Sequence, residues 1–141
     1  MADSSMSGAR RPIAIVRHPL YAIFLPVPVV CFIGALLTDL AYLGSDGNRV
    51  WVNFSAWLLA AGLLFGAIAG IVMLIDAIRG VRWSGFVLLL AAWVFELINS
   101  FVHARDGWTA VAGAGLALSI VGVVLVLLAG WMWRSAVEVW P

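Results

Sequence analysis

The stretch VWVNFSAWLLAAGLLFGAIAGIVMLIDAI, residues 50–78, carries no charge until Asp76. About 20 apolar residues, rising about 1.5 Å each as a helix, cross a hydrocarbon core of about 30 Å. This segment is long enough to span a bilayer, and so are residues 20–43, 83–102 and 108–133. The chain of 141 residues is 65% hydrophobic and only 11% charged, far from the averages of soluble domains. Together these features predict an all-α integral membrane protein, a four-transmembrane-helix bundle over residues 17–133. The connections at 44–49, 79–82 and 104–107 are too short for a folded extramembrane domain. Residues 1–16 and 134–141 read as short cytoplasmic tails, the first disordered.

All eight basic residues are arginines. With the N-terminus in the cytoplasm, that side holds Arg10, Arg11, Arg17, Arg79, Arg82 and Arg134, while the other has only Arg49 and Arg105. The positive-inside rule therefore predicts both termini cytoplasmic. Trp51, Trp83, Trp108, Trp131 and Trp133 fall near span ends, where amphipathic rings sit among headgroups, whereas Trp57 and Trp93 read as packing residues. Cys31 is the only cysteine, so no intrachain disulfide forms.

Glu96, Asn99, Ser100 and His103 recur at helical spacing on the third span, which turns all four to one side. A carboxyl within the membrane is costly unless it faces protein or a wet cavity, so this stripe marks the candidate functional surface. Thr38 and Asp39 on the first span, and Asn53 on the second, come to a similar depth. Glu96 lies roughly 10 Å deeper than His103 along a helix. The expected result is a polar seam of Asp39, Asn53, Glu96, Asn99, Ser100 and His103, suited to a ligand, to protons, or only to fixing the bundle.

At the other end, His18, Tyr21, Asp76, Arg79 and Arg82 form an inner polar cluster. Asp76 and Arg79, three apart, are placed for an ion pair at the membrane edge. Pro26 and Pro28 remove backbone donors and predict an irregular start to the first span, packed in protein. Gly62, Gly66 and Gly70 recur every fourth residue, a row that admits another helix closely, either within the bundle or on another subunit. Gly113, Gly115, Ser119 and Gly122 repeat the theme loosely on the fourth span.

Haem b requires axial ligands on opposite sides of one iron. His18 and His103 stand about a bilayer apart, so no haem, and no other cofactor, is expected. Cys31 and the histidines lack the short spacings of a zinc site. No nucleophile elbow, phosphate loop or metalloprotease helix is present, and no basic patch suits nucleic acid. An enzyme acting alone is not the expected reading.

The first span, RHPLYAIFLPVPVVCFIGALLTDL, resembles the opening pattern of a bacterial membrane family known as domain of unknown function 2231, through His18, Pro19, Leu20, Pro28, Gly34, Ala35, Leu36 and Asp39. The second span's AGLLFGAIAGIVMLIDAIR, closing on Asp76, and the fourth span's GLALSIVGVVLVLLAGWMW are similar to that family too. The resemblance covers residues 17–133. It implies a multi-pass protein of the bacterial inner membrane, near redox modules in some members. Tyr21 and Pro26 stand where many members have histidines, and RSAVEVWP replaces the usual C-terminal segment. The function expected is that of a non-catalytic accessory or anchoring subunit of a larger membrane complex, bioenergetic or redox in kind. The lipid bilayer and other membrane subunits, or further copies of the chain, would be its partners. The alternative is a module that binds or transfers quinone, protons or a small polar solute through the seam. A cavity reaching Glu96 favours transfer, and a packed core favours the accessory role.

Overall fold

The computed structural model describes residues 19–105 and 111–135. The described elements are all helical: α1 (Leu20–Phe24), α2 (Pro26–Gly44), α3 (Arg49–Ile78), α4 (Ser84–Arg105), a π-helical turn over Val111–Gly115, and α5 (Leu116–Ser135). They make four spans long and apolar enough to cross a membrane, Leu20–Gly44, Arg49–Ile78, Ser84–Arg105 and Val111–Arg134. The predicted four-helix membrane architecture is therefore present. Both expected tails, with Arg10 and Arg11, lie outside the described residues except for Arg134 and Ser135, and so do Arg17, His18 and Trp108.

The ends of the helices follow from local chemistry. Pro26 opens α2, a position where its missing N–H is tolerated, and the break from α1 is a single residue. Leu25 keeps helical dihedrals (φ −65°, ψ −37°), and its N–H reaches the Tyr21 carbonyl at 2.9 Å. The start of the first span is thus nearly regular, and α1 contributes no buried residue. The expected irregularity is slight, and the segment still packs on protein: Tyr21 and Phe24 lie partly buried against the core, and Leu25 and Pro28 are buried. Between α2 and α3, Asp46 and Gly47 take positive φ, and the Asn48 side chain accepts the Val50 N–H at 3.1 Å. After α3, Gly80 at φ 106° reverses the chain. The Gly80 N–H bonds the Ala77 carbonyl and the Val81 N–H bonds the Asp76 carbonyl, a Schellman motif that satisfies the last turn.

These short turns make successive spans antiparallel. Contacts of α2 with α3, α3 with α4, α4 with α5 and α5 with α2 close the four into a ring. In lipid no hydrophobic drive joins helices, so small residues and close approach must supply the cohesion. Gly62 faces the Phe32 ring, and a Cβ on Gly66 would stand 3.2 Å from Trp93 Cδ1. Gly70 has nothing within 4 Å of that position and looks into a groove between α3 and α4. The glycine row therefore divides, two for packing inside the bundle and one open.

The tryptophans divide differently from expectation. Trp93 packs in the bundle and donates its indole N–H to the Leu63 carbonyl at 2.9 Å. Trp57 is 71% exposed on the outer surface, which corrects its reading as a packing residue. Trp133 is buried, set edge-on to Tyr21 with ring centroids 6.1 Å apart. It is not an interfacial ring, because Gly85 opens a seat for it: a Cβ there would come within 2.8 Å of the indole.

Candidate functional site

Asp39 of α2, Ser55 of α3, Glu96, Asn99 and His103 of α4, and Ser119 of α5 are all buried, none more than 6% exposed. Their side chains form one hydrogen-bonded network. His103 Nε2 lies 2.9 Å from Asp39 Oδ1. The Ser119 hydroxyl donates to Asp39 Oδ2 at 2.8 Å, and Asn99 Nδ2 donates to Ser119 Oγ at 2.8 Å and to Glu96 Oε2 at 3.0 Å. Ser55 is held more loosely, its Oγ 3.5 Å from the Ala35 carbonyl and 3.4 Å from His103 Nε2.

The bonding pattern fixes part of the proton arrangement. His103 Nδ1 is 3.0 Å from the Asn99 carbonyl, which can only accept, so that ring nitrogen carries a hydrogen. Nε2 and Asp39 then share one proton, as imidazolium with carboxylate or as imidazole with carboxylic acid. Both Asn99 amide hydrogens are used. Asn99 Oδ1 and Glu96 Oε1 are buried acceptors with no donor among the described residues.

Glu96 owes its seat to a glycine. A Cβ on Gly122 would overlap the carboxyl and come within 2.7 Å of Glu96 Cγ. Gly122, read from the sequence as a general packing residue, thus makes room for the one acid on α4.

The structure joins four of the six seam residues predicted from sequence, namely Asp39, Glu96, Asn99 and His103. Asn53 is exposed, and Ser100 is half-buried, a step around α4 from the network. The row Ser55, Leu59, Gly62, Gly66, Ala69, Met73 alternates steps of four and three, and every member is buried. That spacing was a signal for Ser55 and against Asn53. Ser119 could have been found by the same spacing, between Gly115 and Gly122.

At the other end of the bundle, Asp76 is buried, Tyr21 half-buried, and Arg79 and Arg82 exposed. His18, the fifth member of the expected inner cluster, lies outside the described residues. Two grooves open on the outer face. One of about 560 Å³ lies between α1–α2 and α5, and one of about 250 Å³ between α3 and α4. Neither is lined by a network residue. Among the described residues no group of three or more His, Cys, Asp and Glu is arranged to hold a metal.

Residues 17–139 match the family described as "Predicted membrane protein (DUF2231)". The chain belongs to this family. Asp39, one of the residues on which the resemblance to DUF2231 rests, is the acid that pairs with His103. A protein of Mycobacterium tuberculosis (strain ATCC 25618 / H37Rv) named "Probable low-affinity inorganic phosphate transporter" is 33% identical over 126 residues. The similarity covers 77% of this chain and 30% of that protein. No solved structure matches.

Proposed function

We propose that this DUF2231 protein is a non-catalytic four-helix module of a larger membrane assembly engaged in solute transport, seated in the bacterial cytoplasmic membrane with both termini inside. The observation that carries the reading is the direction in which the polar groups face. Asp39, Glu96, Asn99, His103 and Ser119 spend their hydrogen bonds on one another inside the ring, and the two grooves of the outer face are largely apolar. Such a bundle is fixed from within and presents packing surfaces outward. The similarity to part of a longer protein named as a phosphate transporter favours transport over the redox setting expected from the family resemblance. It also favours a unit that works beside other helices. Extraction in mild detergent followed by mass spectrometry tests this: membrane partners should co-purify, and a stable monomer without them would sink the idea.

A second reading rests on Glu96 Oε1 and Asn99 Oδ1, buried acceptors that find no donor among the described residues. Buried polar groups normally find partners, and exceptions call for an explanation in terms of function or of bound water. In this reading, the Asp39–His103 pair and Glu96 exchange protons as a small polar solute crosses the assembly. Proton flux in vesicles holding the protein with its partners should then fall in Glu96→Gln and Asp39→Asn. Unchanged flux with the bundle intact would leave the network a purely structural role.

A further inference from the structure

We propose that the groove between α1–α2 and α5 is a binding site for an anionic phospholipid, its headgroup at Arg134 and an acyl chain along the apolar floor. Leu25, Val29, Val126 and Leu127 line the floor, and Tyr21, Trp131 and Arg134 stand together at one end. From Val126 to Arg134 the α5 wall rises about 12 Å, most of one leaflet of a hydrocarbon core about 30 Å thick. The length suits an acyl chain lying along the helix. The volume of about 560 Å³ is that of a small-molecule site, not of a whole packed helix.

The chemistry of the polar end selects the headgroup. Arg134 is exposed at the mouth, and a guanidinium meets a phosphate through paired N–H donors. Among the residues that line the groove, Arg134 is the cationic one. Trp131, 74% exposed, has the amphipathic ring that settles at headgroup level. Ala22 also lines the groove, and Pro26 withholds the N–H that the Ala22 carbonyl would take in a continuous helix. A hydroxylated headgroup such as that of phosphatidylglycerol offers a donor for it.

The test is native mass spectrometry of the full chain released from micelles containing equal phosphatidylglycerol and phosphatidylcholine with the same acyl chains. The wild type should retain phosphatidylglycerol over phosphatidylcholine by about fivefold, the value of one arginine near an anionic lipid surface. Arg134→Gln should bring the two to parity, and Arg134→Lys should keep most of the preference. Gly130 lines the groove with nothing within 4 Å of a Cβ there, so Gly130→Phe fills it and should release both lipids. Parity in the wild type, or a preference untouched by Arg134→Gln, overturns the proposal. So does Gly130→Phe dissociating a second copy of the chain without loss of lipid, which makes the groove a dimer contact. Displacement of the lipid by inorganic phosphate alone would mark a free-anion site and overturn it equally. Unaltered helical circular dichroism in each variant ties the readout to the groove.

Discussion

At the scale of single residues, the buried network concentrates the cost of error. Removing one partner of a buried ion pair leaves the other uncompensated and costs about 3–5 kcal/mol, whereas replacing both by apolar groups is often neutral. His103→Leu should therefore lower the thermal midpoint in detergent far more than the double variant Asp39→Leu/His103→Leu does. Equal losses would mean that the pair is not mutually dependent. Gly122→Ala places a methyl on the Glu96 carboxyl and should cost about 1–3 kcal/mol, as overpacking does. Gly113→Ala, with nothing within 4 Å, is the matched control and should be near neutral. The acid and the imidazole were legible in the sequence because their types are rare in a span. Asn53 comes to a similar depth along α3, but their partner on that helix is two residues on, at Ser55. Helical phase decides between the two.

At the scale of elements, two devices shape the spans. The Schellman turn after α3 needs Gly80 at φ 106°, a region that side chains rarely adopt. Gly80→Ala should destabilise by roughly 1–2 kcal/mol, with faster amide exchange at Val81, whose N–H closes the motif. Pro26→Ala gives the Ala22 carbonyl a donor and should join α1 to α2, seen as greater exchange protection over residues 20–28. Unchanged protection there would show that Leu25 already carries the helix through. Span existence was legible to within a few residues at each end, because length and hydropathy are sums over many residues. The fate of the glycine row was not. Gly62, Gly66 and Gly70 are chemically alike, and which of them meets a neighbour depends on how α3 lies against α2 and α4.

At the scale of the whole molecule, the antiparallel ring puts the α2–α3 turn and the α3–α4 turn at opposite ends. In a background with Cys31 replaced by Ala, Asp46→Cys should react with an impermeant maleimide from outside intact cells, and Arg79→Cys only after the membrane is opened. The reverse result would invert the orientation drawn from the arginine distribution, and labelling of both from one side would contradict the ring itself. Exposed Val30, Leu64, Ile71 and Trp57 give the molecule an apolar outer face, as lipid contact requires. That face cannot be distinguished from the core by hydropathy, since lipid and protein interior are equally apolar. Trp57 and Trp133 exchanged their expected roles for that reason.

The sequence by itself determined that this is a membrane protein, where its four segments long and apolar enough to cross a bilayer lie, its family, and the rare polar side chains that mark its interior. Those properties are carried by composition, run length and residue identity, which need no knowledge of neighbours. Only the tertiary structure decided that Asp39 meets His103, that Ser119 and Ser55 join them, that Gly122 seats Glu96, and that a groove opens beside Arg134. Each of these depends on the rotation of one helix against another. Among helices apolar on all sides, that rotation is set by the fit of small side chains against large ones and by a few buried hydrogen bonds, terms that exist only once the helices are in contact.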